Sequence, residues 1–226
     1  MKKLSVAIDG PSGAGKSTIA KAIAKEFGFI YVDTGAIYRT VGLHVLRLGA
    51  DPSDETAVGA LLGQIAIRLE YKDGEQRVIL NGEDVTALLR TPRLSKYASD
   101  VSAIPAVRAF LLEMQRDMAK KHCVVMDGRD IGTVVLPDAD IKIFLTASPE
   151  ERARRRHEEL LARGESATYQ SVLSDMIARD KNDSCRKLAP LTCAPDALKI
   201  DTTGNALEKS ISILIDIVKA GMKDGI

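Results

Sequence analysis

The run Gly10-Pro11-Ser12-Gly13-Ala14-Gly15-Lys16-Ser17 fills all four fixed positions of G-x-x-x-x-G-K-[ST]. Its surroundings narrow the possibilities further. Leu4 to Asp9 is an apolar-rich run that reads as a buried strand, and Ile19, Ala20, Ile23, Ala24 and Phe27 recur at helical spacing up to Gly28. Strand, glycine loop and helix in this order make a cradle for phosphate. The glycines let backbone N–H groups turn inward, and the helix adds its unpaired N–H groups and positive dipole end. The loop and the start of the helix, through Thr18, are therefore predicted to hold a nucleoside triphosphate or something closely shaped like one. Lys16 would bridge its β- and γ-phosphates and the Ser17 hydroxyl would hold Mg²⁺. The competing reading is a glycine-rich turn ahead of an ordinary helix.

The remaining totals mostly exclude. Lys and Arg number 32 against 31 Asp and Glu, so no overall charge points to polymeric nucleic acid or a membrane surface, and anion binding must come from local clusters. Cys123, Cys185 and Cys193 lack C-x-x-C spacing and read as reduced thiols of a cytoplasmic protein. Met1-Lys2-Lys3 leads straight into the first strand, leaving no room for a signal peptide, and no apolar run approaches membrane-spanning length. His44, His122 and His157 are scattered without metal-ligand spacing, so the expected metal is Mg²⁺ carried in by the triphosphate. The expected partners are small-molecule nucleotides, and the chain is expected to act as a monomer.

Four further strands are predicted at 29–32, 123–127, 141–146 and 197–201, separated by helices. The helices are placed at about 36–48, from a Ser53 cap through Leu62, from Thr91-Pro92, from Pro105 to about Lys120, from a capping box at Ser148-Pro149-Glu150-Glu151, from Thr168, and from Asn205 with Glu208. That alternation implies an α/β fold of the P-loop NTPase type: a five-stranded parallel sheet, helices on both faces, ligands at the carboxyl ends of the strands. One stretch differs. Residues 65–71 and 77–80 alternate at period two around a turn at 72–75, and Asn81-Gly82 is a type I′ hairpin signal before 83–85. This reads as a small antiparallel β insert, the best candidate for a mobile subdomain. The division is a P-loop core at 1–62 and 92–226, with a flap-like segment at about 149–168, and an insert at 63–91.

Polar residues fall directly after the strands: Asp33, Thr34 and Arg39 after the second, and Asp127, Arg129 and Asp130 after the next core strand. Met126-Asp127 resembles a Walker B end whose acid orients Mg²⁺, or else Asp127 caps a turn. Arg152, Arg154, Arg155 and Arg156 lie at i,i+4 spacing from acids, as on a solvated helix face, yet the break at Arg163-Gly164-Glu165 would also suit a hinged flap that carries arginines onto a triphosphate. Arg179 and Arg186, with Asp180 and Asp183, are a further charged set that a solvated helix end would equally explain.

The motifs Gly10 to Ser17, Asp33-Thr34-Gly35-Ala36-Ile37-Tyr38-Arg39, Asp127-Gly128-Arg129-Asp130-Ile131-Gly132-Thr133-Val134-Val135 and Ala189-Pro190-Leu191 together resemble the bacterial cytidylate kinases. The likeness spans essentially the whole chain, insert included. It implies transfer of the γ-phosphoryl of ATP to CMP or dCMP. It further implies that Thr34 and Arg39 hold the monophosphate, that Ser99, Arg108 and Asp130 face the cytosine, and that Arg129 and Arg186 bind phosphate. Asp183 matches the acid that accepts from the ribose hydroxyls, and Arg154 to Arg156 lie in the lid, on the ATP side. Lys16, Arg39, Arg129 and Arg186 would carry the catalysis, with Mg²⁺ at Ser17 and Asp127. Two positions vary in the family: Thr34 stands where Ser is common, and the position of Ser17 is often Gly or Ser. A shikimate-type or dephospho-coenzyme A kinase is disfavoured by the insert and by Ser99 and Arg108. A switch GTPase is disfavoured by the lack of N-K-x-D.

Overall fold

The structure, a computed structural model, describes residues 3–72 and 74–224. Met1 and Lys2, which opened the leader argument, and Asp73 of the predicted 72–75 turn lie outside them. Five strands, β1 (Ser5–Asp9), β2 (Ile30–Asp33), β6 (Val124–Gly128), β7 (Ile141–Thr146) and β8 (Leu198–Asp201), form one sheet in the order β2-β6-β1-β7-β8. Every pairing is parallel. β1 is therefore central, and the loop that follows it opens at the middle of the sheet's carboxyl edge. That edge is where an open α/β sheet leaves a crevice.

Side chains alternate across β1, which decides what covers each face. Ala7 points into a core shared with α2 (Thr34–Arg47), α4 (Pro92–Val101) and α5 (Pro105–Lys121). Val6 and Ile8 point the other way, toward α1 (Lys16–Phe27) and α8 (Leu207–Asp224). A third, small cluster of Ala153, Leu160, Val172 and Met176 holds α6 (Pro149–Ala162) and α7 (Tyr169–Cys185) to one another.

The insert is a three-stranded antiparallel sheet of β3 (Ile67–Lys72), β4 (Glu75–Leu80) and β5 (Glu83–Asp84). At its second turn Asn81 and Gly82 have φ of 50° and 89°, the two positive values a type I′ turn demands. Its apolar side, including Val78, Leu80, Val85 and Leu89, joins the core on the α2 side.

Helix starts follow local chemistry with some shifts. Thr91 accepts from Leu94 N and Thr168 from Ser171 N, each as a cap. Ser148 accepts from Glu151 N, but the Glu151 carboxylate turns to Arg154 and Arg155, so only half of the expected capping box forms. Asp54, not Ser53, caps α3 (Glu55–Leu61). α2 begins at Thr34, two residues earlier than expected, because Asp33 caps it through Ala36 N; that bond outweighs the poor helix propensity of Thr34-Gly35. The terminal helix begins at Leu207, two residues beyond Asn205.

Candidate active site

The glycine loop leaves β1 at Gly10, whose φ is +148° and where a Cβ would sit 1.9 Å from the Leu145 carbonyl oxygen; no other residue fits there. Gly15, in a left-handed conformation, starts α1, and no acid lies in that helix's first turn, so its positive end is uncompensated. Lys16 is buried and donates to the Pro11 carbonyl at 2.6 Å. Burial, and next the Arg129 guanidinium, push its pKa well below the ordinary lysine value, the condition of an ammonium that an anion would relieve. Ser17 and Thr18 are exposed at the start of α1.

The Ser17 hydroxyl donates to Asp127 Oδ2 at 2.8 Å, and Tyr31 donates to the other carboxylate oxygen at 3.0 Å. Burial, with the Asp33 carboxylate adding to it, pushes Asp127 up to about 6. Thr34 donates to the Asp127 carbonyl at 2.7 Å, which binds the start of α2 to the end of β6. Asp33 both caps α2 and accepts from Arg39 Nη2 at 3.0 Å, so the helix start aims the guanidinium. The insert joins here: Asp33 N donates to Gln76 Oε1 at 2.9 Å.

A second cluster lies beyond Arg129. Arg129 Nε donates to Asp183 Oδ2 at 2.9 Å, Ser99 donates to Asp183 Oδ1 at 2.9 Å, and Asn182 donates to Ser99 at 2.8 Å. Burial opposes the Asp183 charge, yet the guanidiniums of Arg129, Arg179 and Arg186 hold its pKa below the ordinary carboxylate value. Arg186 donates to Ser102 Oγ at 2.6 Å. Arg108 and Asp130, both buried, pair with one another, and Arg108 lies 5.7 Å from the Tyr38 ring centroid. Burial keeps Asp130 above its ordinary pKa despite that partner.

The predicted residues thus fall into two neighbouring sets, one around the loop and one around Asp183, with Arg129 next to Lys16. The arginines of the expected lid stand apart from both sets. Arg154 pairs with Glu151 and Glu158, Arg155 with Glu151 and the Thr202 carbonyl, and Arg156 with Glu159. The arginine of α6 that meets the loop is Arg152: it donates to the Ser12 carbonyl at 2.9 Å and to Asp180 at 2.6 Å. Sequence reasoning named Arg152 without separating it from its neighbours. The available signal was its place beside Ala153 on the buried side of the helix. Arg179, left unassigned, donates to Ser12 Oγ, and burial with Arg129 lowers it to about 10. Asp9 was read only as the last residue of a strand, yet it is buried and accepts two backbone N–H groups.

Among the described residues, the buried side-chain polar atoms without a partner include Arg39 Nε, Arg179 Nε and Arg186 Nη2. Unused guanidinium donors on these three arginines, with a desolvated lysine in the loop, suit a polyanion.

Comparison with known proteins agrees with that chemistry. The family model described as "Cytidylate kinase" matches residues 6–220. The chain is similar to the cytidylate kinase of Caldicellulosiruptor bescii, 49% identical over 217 residues that cover 96% of each chain. It is also similar to that of Pelotomaculum thermopropionicum, 50% identical over 220 residues and 97% of each. A crystal structure of an uncharacterized protein from Eubacterium ventriosum superposes with a TM-score of 0.53 at 13% identity, covering 96% of this chain and 99% of that one, a likeness of fold alone.

Proposed function

The chain belongs to the cytidylate kinase family, and we propose from that premise that it transfers the γ-phosphoryl group of ATP to CMP or dCMP, giving ADP and CDP or dCDP. The observation that carries this reading is the set of buried guanidinium donors without partners on Arg39, Arg179 and Arg186, together with the buried Lys16 of the loop. In this reading Gly10 to Thr18 hold the donor's phosphates and Lys16 spans β and γ. Thr34, Arg39, Arg129 and Arg186 hold the acceptor's phosphate, Ser99, Arg108 and Asp130 face its base, and Asp183 accepts from the ribose. The acceptor oxygen is already ionised near neutral pH, so no general base is required. These residues align two anions and cancel the charge that spreads over them.

Mg²⁺ fits the residues present. The Ser17 hydroxyl and the Asp127 carboxylate are 2.8 Å apart, the hard oxygen donors that this ion takes. Among the described residues no group of three or more His, Cys, Asp or Glu could hold a metal ion; Mg²⁺ held by these two oxygens would take its other ligands from phosphate and water. Bound there, it would supply positive charge to the phosphate oxygens.

The lid, at about 149–168, is proposed to bring Arg154, Arg155 and Arg156 onto ATP. The Arg154–Glu158 pair is exposed and contributes little, so exchanging it for phosphate is cheap, whereas Arg155 would also have to leave Glu151 and the Thr202 carbonyl. α6 packs its own small core on the first half of α7, at Val172 and Met176, so it can shift there while Asp183 at the far end of α7 stays on Arg129. The 63–91 insert is proposed to close on the monophosphate through Gln76 and Asp33. Its backbone amides are then expected to gain hydrogen-exchange protection with CMP and less with ATP alone; equal protection in both would make it a fixed part of the core.

Action as a monomer is part of the same proposal, and the three free thiols suit a reducing, cytoplasmic setting. No helix among the described residues is long and apolar enough to cross a membrane. The reading is tested by ADP release from ATP: fast release that depends on CMP supports it, and release indifferent to CMP contradicts it.

A further inference from the structure

The segment after β6 turns through a single π-helical turn at Ile131–Val135, with Asp130 at its N-cap position. The first N–H groups of any helical turn need acceptors from outside it, and an aspartate at the N-cap is among the residues best able to supply one. Asp130 makes no such bond. Its carboxylate is committed to Arg108 instead. The acceptors come from the neighbouring strand, 122 and 123 residues away: Ile131 N donates to Asp9 Oδ1 at 2.8 Å and Gly132 N to Asp9 Oδ2 at 2.7 Å. Asp9 is only 4% exposed, and burial pushes its pKa up to about 6. The charged groups that act on it are Asp130 and Lys16. A buried carboxylate that forms no ion pair is costly, so its place here calls for a reason beyond filling space.

We propose that Asp9 is a positioning residue for recognition of the acceptor's base. By capping the 131–135 turn from β1, it leaves the Asp130 carboxylate on Arg108 rather than folded back onto the N–H groups of its own turn. Asp9 also directly precedes Gly10, so one side chain fixes the start of the donor loop against the acceptor-reading segment. A β1 Cα register of Asp9 opposite Gly128 places it to do so.

This inference rests on the reading above in which Asp130 faces the base, and the test separates the two. Asp9→Asn and Asp9→Ala are compared with Asp130→Asn and with the Asp9→Ala/Asp130→Asn pair, measuring kcat/KM for CMP and for UMP and the KM for ATP. Asp9→Asn keeps one acceptor and removes a buried charge, and although its amide opposes the second N–H it leaves only one N–H bare where Asp9→Ala leaves two, so it keeps the test open if the alanine variant does not fold. Both Asp9 variants are expected to lower the CMP-to-UMP ratio by about tenfold or more, with the KM for ATP changed less. The pair is expected to show the ratio of Asp130→Asn alone, since the two residues act through one carboxylate. Equal losses on CMP and UMP in the Asp9 variants would make Asp9 a structural cap and overturn the inference while leaving the base reading intact. A wild-type ratio in Asp130→Asn would overturn the base reading, and this inference with it.

Discussion

Lys16→Met is expected to lower turnover by about three orders of magnitude or more while the protein stays folded. The size follows from position. Lys16 is the only charged residue of the loop, it is buried, and in a water-poor site a fixed cation on the transferring group is worth far more than in water. The folding half follows from its depressed pKa. Burial, then Arg129, already disfavour the ammonium, so an apolar side chain of similar length removes that penalty while it loses the attraction of Asp127 and Asp9 and one charged bond to the Pro11 carbonyl, worth about 1.5–3 kcal/mol. The opposing effects largely offset, and thermal unfolding of the ligand-free variant should stay close to that of the wild type. A variant that kept a tenth of wild-type turnover would sink the assignment of the loop.

Arg108→Met is expected to cut the preference for CMP over UMP by about two orders of magnitude, against a ceiling near 10⁴-fold for well-desolvated polar recognition. Cytosine offers acceptors at O2 and N3 and donors at N4; uracil presents a donor at N3 and an acceptor at O4. Arg108 can only donate, so it suits N3 of cytosine and opposes N3–H of uracil. Ionised Asp130 can only accept, so it suits the N4 amino group. The structure adds that the two residues bond to one another through Arg108 Nη2 and Asp130 Oδ2, which sets donor and acceptor side by side before any base arrives. Removing Arg108 leaves Asp130 buried without its cation, and breaking such pairs costs about 3–5 kcal/mol. Stability should therefore fall as well, and the diagnostic readout is the CMP-to-UMP ratio alongside the KM for ATP. A lower ratio with little change in the ATP constant supports the pocket. An unchanged ratio contradicts it.

Local signals in the sequence carried most of the architecture. Asn81-Gly82 identified the antiparallel insert because a turn with two positive φ values admits few residue pairs. Thr91-Pro92 and Thr168 marked helix starts because a side-chain cap is a local bond. The misplaced start of α2 shows the limit: Thr34-Gly35 favours a loop, and only the bond from Ala36 N to Asp33 makes it helical. The site was legible where a residue follows a strand, as for Asp127 and Arg129. It was not legible where a role depends on a distant partner. Arg152 differs from Arg154 through its bonds to Ser12 and Asp180, far along the chain, and Asp9 is distinguished only by N–H groups more than a hundred residues on.

The central claim is transfer of phosphate from ATP to a cytosine nucleotide, and the most direct measurement is kcat/KM in coupled ADP release across CMP, dCMP, UMP and AMP as acceptors. The arrangement of Arg108, Asp130 and the guanidiniums around Lys16 predicts the highest values for CMP, dCMP nearer to it than to the others because its base is the same, and UMP and AMP well below. UMP as good an acceptor as CMP would contradict the base pocket. ADP release with none of the four would contradict the kinase itself.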